Sequence, residues 1–333
     1  MLEVSRHTPA RLPQGHPPVL CIVIDTEEEF DWDRPFSRSN TATTTIAAQP
    51  LAHERIYDAL GVVPTYVIDY PVATTPAASA VLTRLMQEGR CEIGTHLHPW
   101  VSPPHEEEVN RFNSYTGNLP PALEYAKLDA LTHAIADSTG RRPTVFKAGR
   151  YGLGPQTSQT LARLGYEIDA SVVPHTAFTA DSGPDFSAFD VHPYWFETEG
   201  RKLLELPVTT GFCGSLRGQG GALYPALQTP LGRTLRLPGI ASRAGLLDRL
   251  RLTPEGYVLQ DLQRLARTLV QDGCQVLSLT YHSPSLAPGH TPYVRDAADL
   301  ERFLACIQGL LLYFRDTLGG TFMSCTQLRQ ALR

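Results

Sequence analysis

Short apolar runs alternate with amphipathic stretches along most of the chain, and each run has the length of a β-strand. The first run, "PVLCIVIDT" at 18–26, is continuously apolar, which is typical of a strand buried on both faces. The pattern predicts further strands at 62–70, 91–96, 144–149, 166–173, 202–209, 276–282 and 321–326.

Apolar residues at helical spacing fill the stretches between these strands. Gly89, Gly140 and Gly165 each follow the last periodic residue of a stretch, where glycine commonly ends a helix. The spacing predicts helices at 77–89, 122–140, 154–165, 254–273 and 295–319. Strands and helices that alternate in this way form parallel sheets with helical crossovers, so we expect either an α/β barrel or a doubly wound sheet.

The composition is that of a globular protein with a substantial core. Of the 333 residues, 42% are hydrophobic and 19% are charged, and a formal net charge of −5 does not indicate nucleic-acid binding. No apolar run is long enough to span a membrane, and the polar, proline-rich start lacks a signal-peptide segment, so we expect a cytoplasmic protein. The six cysteines form no CxxC pair and are expected to be buried free thiols.

One segment interrupts the alternation of strands and helices. We expect an N-terminal tail at 1–17 and a single barrel domain at 18–333, with an insertion at about 211–251 that is rich in Gly, Pro and Arg. Between 217 and 251 the insertion has six arginines and one acidic residue, Asp248. These arginines fit either a solvated loop or an anion-binding patch over the mouth of the barrel. On the second interpretation, Arg233, Arg236 and Arg243 would recognise an anionic portion of the substrate.

Polar side chains collect where the predicted strands end. In α/β barrels the carboxyl ends of the strands carry the active site, so these side chains are candidates for catalysis and binding. They are Asp25, His96, His98, Lys147, Arg150, Tyr151, Glu205, Tyr281 and His282.

The stretch "EIGTHLHPW" at 92–100 has two histidines one residue apart. Because alternate residues of an extended chain point to the same face, His96 and His98 are expected to point the same way. Two imidazoles and a carboxylate form a catalytic zinc site with one open position, although two histidines in an exposed loop would also fit the pattern. The chain has no glycine-rich phosphate loop and no GxSxG sequence, so it lacks the motifs of P-loop enzymes and serine hydrolases.

Five of these segments together resemble a known family. The stretches "VIDTEEEFDW", "EIGTHLHPW", "FKAGRYG" preceded by "RRP", "LELPVT" and "TYHSPSL" are similar to the five ordered motifs of the polysaccharide deacetylases, carbohydrate esterase family 4. The resemblance covers about 18–326 and is closest to the atypical branch in which D-x-E replaces the usual Asp-Asp pair. It implies a distorted (β/α)₇ barrel, a divalent metal that is commonly zinc, and hydrolysis of N-acetyl groups on amino sugars.

The resemblance also implies roles for the metal-site residues. Asp25 matches the catalytic base of the family, Glu27 its metal-binding carboxylate and His96 its first metal histidine. The second metal histidine is expected to be His98, which keeps the "HP" dipeptide of the family but stands in H-x-H rather than the usual H-x-x-x-H spacing.

Other roles follow the later motifs. His282 matches the catalytic acid, and Tyr151 matches the residue whose backbone N–H helps to hold the oxyanion. Where the family often has an arginine that orients the base, this chain has Lys147, and Arg150 is the alternative for that role. Three further residues near the motifs are expected to contact the substrate, namely Trp100, Glu205 and Tyr281.

The sequence leaves three functions open. The first is a metal-dependent hydrolase that removes an N-acetyl or other acyl group from an amino sugar of a surface polysaccharide or its precursor, in a neutral, anionic or lipid-linked form. The second is a metal-free C–N hydrolase of a small cyclic amide on the same fold, which the irregular H-x-H spacing would suit. The third is a catalytically silent glycan-binding barrel, in which Lys147 and His98 mark lost activity.

Overall fold

A curled sheet of parallel strands forms the centre of the computed structural model, which describes residues 1–31 and 34–333. The strands are β1 (Thr8–Pro9), β2 (Val19–Thr26), β3 (Thr65–Ile68), β4 (Glu92–Leu97), β5 (Val145–Ala148), β6 (Ile168–Asp169), β7 (Tyr194–Thr198), β8 (Arg201–Glu205), β9 (Thr210–Cys213), β10 (Asp248–Arg251), β11 (Val276–His282) and β12 (Thr321–Phe322). The helices are α1 (Gln49–Ala52), α2 (Asp58–Leu60), α3 (Tyr70–Thr74), α4 (Pro76–Gln87), α5 (Pro121–Thr139), α6 (Thr157–Leu164), α7 (Gly220–Leu227), α8 (Pro230–Thr234), α9 (Leu237–Arg243), α10 (Leu259–Gln271), α11 (Ala297–Asp316) and α12 (Cys325–Ala331).

Seven strands run parallel in the order β8-β6-β5-β4-β3-β2-β11, which gives an incomplete (β/α)₇ barrel. Side chains link the two ends of this series: Ser278 Oγ accepts a hydrogen bond from the Thr209 backbone N–H at 3.1 Å, and Thr209 Oγ1 accepts one from the Ser278 N–H at 2.7 Å. The barrel predicted from the sequence is therefore confirmed, and the doubly wound alternative is wrong.

The alternation along β2 shows how the barrel divides inside from outside. The large core between the strands and the helices lies outside the barrel and contains Leu20, Ile22 and Ile24. The second core lies inside the barrel and contains Val19, Cys21 and Val23, together with Leu328 and Leu332 of the C-terminal segment. Because side chains alternate along a strand, the next residue on the inner face of β2 is Asp25. The inner face is thus apolar along most of β2 and becomes polar at its carboxyl end.

The edges of the barrel differ from the prediction in two places. The segment 1–17 is not a free tail, since Thr8 and Pro9 pair with β7, and Ala10 and Leu12 are buried. The sequence pattern does not predict strand β7, which is antiparallel to β8, because its buried and exposed residues alternate over too few positions.

The predicted insertion at 211–251 forms an antiparallel β9–β10 hairpin with the three short helices α7–α9 between its strands. The predicted strand at 321–326 ends at Phe322, and α12 begins at Cys325.

All six cysteines are free and buried, as predicted. Within the described part of the chain, no helix has both the length and the apolar character that a membrane span needs. Trp32, in the first family-like motif, lies outside the described residues.

Candidate active site

The polar residues of the predicted site meet at the carboxyl ends of neighbouring parallel strands. His282 of β11 lies opposite Asp25 of β2, and His96 of β4 lies opposite Lys147 of β5 in the strand register. All four are on the inward-facing alternation of their strands, so their side chains converge above the apolar interior.

Glu27, His96 and His98 form a group in which one ligand atom of each residue lies within 4.8 Å of the others. The Nε2 atoms of His96 and His98 are 3.5 and 3.4 Å from the same oxygen, Glu27 Oε2. All three side chains are at most 3% exposed. The short H-x-H spacing therefore allows both imidazoles to approach the same point, because the two rings extend from the same face of the strand end.

The donor set fits a divalent cation. His96 Nδ1 lies 3.1 Å from the Lys147 carbonyl oxygen, which can only accept a hydrogen bond, so Nδ1 carries the proton and Nε2 has a free lone pair. Burial lowers the pKa of His96, and it lowers the pKa of His98 to about 4, so both rings are neutral at neutral pH, the state that binds metal. Glu27 Oε1 is buried without a hydrogen-bond partner among the described residues.

Glu28 supports this group from behind, a role that sequence reasoning missed. Its Oε2 lies 2.7 Å from His98 Nδ1, and its Oε1 accepts a 2.7 Å hydrogen bond from Trp100 Nε1. Asp69 lies beside Glu28, and burial, followed by the contact with Glu28, raises the pKa of Asp69 well above its usual value. Burial raises the pKa of Glu28 to about 8. A cation bound beside His98 would favour the ionised form of Glu28, to which His98 would donate from Nδ1, as ligand histidines commonly do.

Asp25 is paired with a buried lysine. Lys147 Nζ lies 2.6 Å from Asp25 Oδ1 and donates a 2.7 Å hydrogen bond to Thr280 Oγ1. Burial would raise the pKa of Asp25, but the charge of Lys147, together with the nearby imidazoles of His96 and His282, outweighs it, and the pKa falls below its usual value. Asp25 is therefore ionised at neutral pH.

Arg150, the alternative partner for the base, lies elsewhere. Its guanidinium pairs with Asp181 and packs 4.1 Å from the ring centroid of Tyr115. Lys147 is the basic side chain in contact with Asp25, so the suggestion that Arg150 replaces the arginine of the family is corrected.

His282 is held between two carboxylates. Its Nε2 is 3.9 Å from Asp25 Oδ2, and its Nδ1 is 2.7 Å from Glu255 Oε2. Burial lowers the pKa of His282, but Glu255, Glu27 and Asp25 together raise it well above its usual value. The imidazolium form is thus available to donate a proton.

Sequence reasoning did not identify Glu255, because the helix predicted at 254–273 included it in a first turn. Helix α10 begins at Leu259, and Glu255 remains in the preceding loop, where it also accepts a 3.0 Å hydrogen bond from the His282 N–H. An acidic residue between Pro254 and Gly256 is a local turn pattern that could have suggested a loop.

The turn after β5 brings its backbone close to the group formed by Glu27, His96 and His98. Arg150 and Tyr151 both have positive φ, 54° and 59°, a conformation that is uncommon outside glycine and often found at functional sites. A Cβ on Gly149 would lie 2.4 Å from His98 Cδ2, so only glycine fits beside that ring.

The three predicted substrate contacts are buried side chains. Trp100 is 2% exposed and stacks on the His98 ring with centroids 4.3 Å apart. The Tyr281 hydroxyl hydrogen-bonds the Tyr57 hydroxyl at 2.8 Å inside the core. Glu205 is fully buried and accepts a 3.0 Å hydrogen bond from the Val172 N–H, and burial raises its pKa well above the usual value. Trp100 and Glu205 are therefore corrected from substrate contacts to packing and support, whereas Tyr281 also borders the cleft beside His282.

An open cleft of about 270 Å³ adjoins His282. Its lining includes Tyr151, Thr280 and Glu255, together with Arg249 and Arg251 of the insertion hairpin. A small substrate group bound there would lie beside the imidazole of His282.

Solved structures with this architecture include the Puue allantoinase (TM-score 0.56, 14% identity, 96% of this chain and 91% of that one). A protein assigned as a polysaccharide deacetylase from Pseudomonas aeruginosa PAO1 has a TM-score of 0.53 at 14% identity, over 94% of this chain and 90% of that one. Another, from Mycobacterium smegmatis, has a TM-score of 0.50 at 16% identity, over 97% and 94%. The fold is that of the polysaccharide deacetylases. No family model matches the sequence, and neither does any curated protein.

Proposed function

We propose that the protein is a metal-dependent hydrolase that removes an N-acetyl group from an amino sugar of a polysaccharide or its precursor. The observation that carries this proposal is the convergence of a neutral-imidazole ligand group, Glu27, His96 and His98, with the Asp25–Lys147 pair and the His282–Glu255 pair. Two imidazoles and one carboxylate suit Zn²⁺, and a bound ion would polarise the acyl carbonyl and acidify a water molecule.

The protein side chains divide the proton transfers between them. Asp25, kept ionised by Lys147, takes the proton from the attacking water at a carboxylate oxygen. His282, kept protonated by Glu255, donates a proton from Nε2 to the leaving amine. The backbone N–H of Tyr151 is proposed to donate a hydrogen bond to the developing oxyanion.

The test combines metal content with acetate release. Glu27→Ala, His96→Ala and His98→Ala should each lose the stoichiometric metal of the wild type by elemental analysis, and acetate release from N-acetylated saccharides should fall to background. His133→Ala, which changes an exposed histidine on α5, is the matched control and should keep both.

The same measurements separate the alternatives. Full metal retention in all three ligand variants would contradict the metal assignment. Hydrolysis of cyclic amides by metal-free protein would favour the second function, and saccharide binding by the metal-loaded protein without acetate release would favour the silent barrel.

A further inference from the structure

The β9–β10 hairpin directs two arginines to one face. In β10, Arg249 and Arg251 alternate with Asp248 and Leu250. Leu250 is buried in the main core, and Asp248 pairs with Arg264 of α10, so these two occupy the face towards that helix. Because side chains alternate along a strand, Arg249 and Arg251 share the opposite face, and both line the cleft beside His282.

Among the described residues, neither of these arginines pairs with a carboxylate. Arg249 Nη1 donates to the His175 carbonyl oxygen at 2.7 Å and to Thr176 Oγ1 at 2.6 Å. Arg251 Nη1 donates to the Tyr151 hydroxyl at 3.2 Å, which holds the guanidinium at the edge of the cleft. By contrast, Arg217 of the same insertion forms an ion pair with Asp272 at 2.8 Å.

Glu255 also lines the cleft, but it does not neutralise the charges of Arg249 and Arg251. Glu255 is 7% exposed, and its two carboxylate oxygens already contact His282 and Ser285. The cleft therefore has two arginines, half-buried and held by neutral acceptors, facing a space of about 270 Å³. A guanidinium in such a position is suited to an oxyanion with two acceptor atoms.

We propose that Arg251, together with Arg249, binds an anionic carboxylate or phosphate group of the substrate, next to the sugar that carries the acyl group. This inference rests on the proposed function and specifies its substrate class as an anionic N-acyl glycan. It also replaces the sequence prediction for Arg233, Arg236 and Arg243, which are exposed on or beside α8 and α9 and are not among the residues that line the cleft.

Calorimetric titration of the metal-loaded protein tests the proposal with matched probes. A tetrasaccharide of alternating glucuronate and N-acetylglucosamine is compared with a neutral tetrasaccharide of N-acetylglucosamine, and N-acetylglucosamine 1-phosphate is compared with N-acetylglucosamine. We expect at least one charged probe to bind tenfold or more tightly than its neutral counterpart, and the pair that shows this preference identifies the anion as carboxylate or phosphate. Arg251→Gln should reduce the ratio of the two Kd values to about one, whereas Arg243→Gln should leave it unchanged.

Equal binding of charged and neutral probes by the wild type, including no binding of either, overturns the proposal, and so does an anion preference that survives Arg251→Gln. Acetate release is measured separately on the same samples. An intact anion preference without acetate release would refute the proposed hydrolysis and leave the anion site standing.

Discussion

At the scale of single residues, three consecutive glutamates have three different environments. Glu27 lies against the Nε2 atoms of His96 and His98, and Glu28 accepts a hydrogen bond from Trp100 Nε1 and contacts His98 at Nδ1. Glu29 turns away and accepts hydrogen bonds from the Thr44 hydroxyl at 2.7 Å and the Thr45 N–H at 2.8 Å. Backbone alternation alone cannot assign these roles, because the chain leaves the strand at Thr26.

Replacing Glu28 with Gln should weaken metal binding. The carboxylate contacts both His98 Nδ1 and Trp100 Nε1, whereas a Gln side chain has only one oxygen to accept with, so the His98 ring loses part of its orientation. Loss of such a supporting carboxylate typically costs 10–100-fold in metal affinity, so we expect the Zn²⁺ Kd to rise about 10–100-fold. Competition with a chromophoric chelator measures this Kd without reference to activity.

The matched control is Glu29→Gln, the same chemical change one residue away, which should leave the Kd within about twofold. A Glu28→Gln variant with wild-type affinity would show that His98 is oriented by its packing on Trp100 and not by the carboxylate.

At the scale of elements, much of the barrel was predictable and its boundaries were not. The buried strands β2 and β11 match the predicted segments within a residue because their apolar runs are long. The proximity of Asp25 and His282 on those strands was also predictable, because the carboxyl ends of neighbouring parallel strands meet at one end of a barrel. Glu255 and Asp69 escaped prediction because they act through contacts with residues that are distant in sequence, such as the Glu255–His282 pair.

The loop between β10 and α10 is expected to set the alkaline limit of activity. Glu255, together with Glu27 and Asp25, raises the pKa of His282, and a general acid must be protonated to act. Activity should therefore persist above the usual histidine pKa and fall as the pH rises through the raised value. Among these carboxylates, Glu255 raises the pKa of His282 the most. Glu255→Gln removes its charge, so the alkaline limb of kcat/KM should move to lower pH.

The pH profile of acetate release measures the shift, with the exposed Glu54→Gln as the control of equal charge change. An alkaline limb that stays in place in the Glu255 variant would mean that another group, and not His282, is the titrating acid.

At the scale of the whole molecule, the apolar packing and the candidate active site lie at opposite ends of the barrel. The carboxyl ends of the strands bring together buried charged groups, which cost free energy to desolvate and are compensated mainly by one another. The amino ends enclose an apolar interior that includes Val19 and Cys21 of β2, with Cys325 and Leu328 of α12 packed into it. The C-terminal helix thus acts as the floor of the barrel.

Shortening a buried side chain of α12 should destabilise the protein without affecting metal binding. Leu328 is fully buried, and Leu→Ala at such a position commonly costs about 2–5 kcal/mol because a cavity remains. We expect Leu328→Ala to lower the free energy of unfolding in urea by about that amount, while the Zn²⁺ Kd of the folded protein stays within twofold. Gln330→Ala, on the exposed side of the same helix, should change the free energy of unfolding by no more than about 0.5 kcal/mol. A loss of metal affinity that matched the loss of stability would instead show that the two ends of the barrel are coupled, because packing at the floor would then be transmitted along β2 to Asp25 and Glu27.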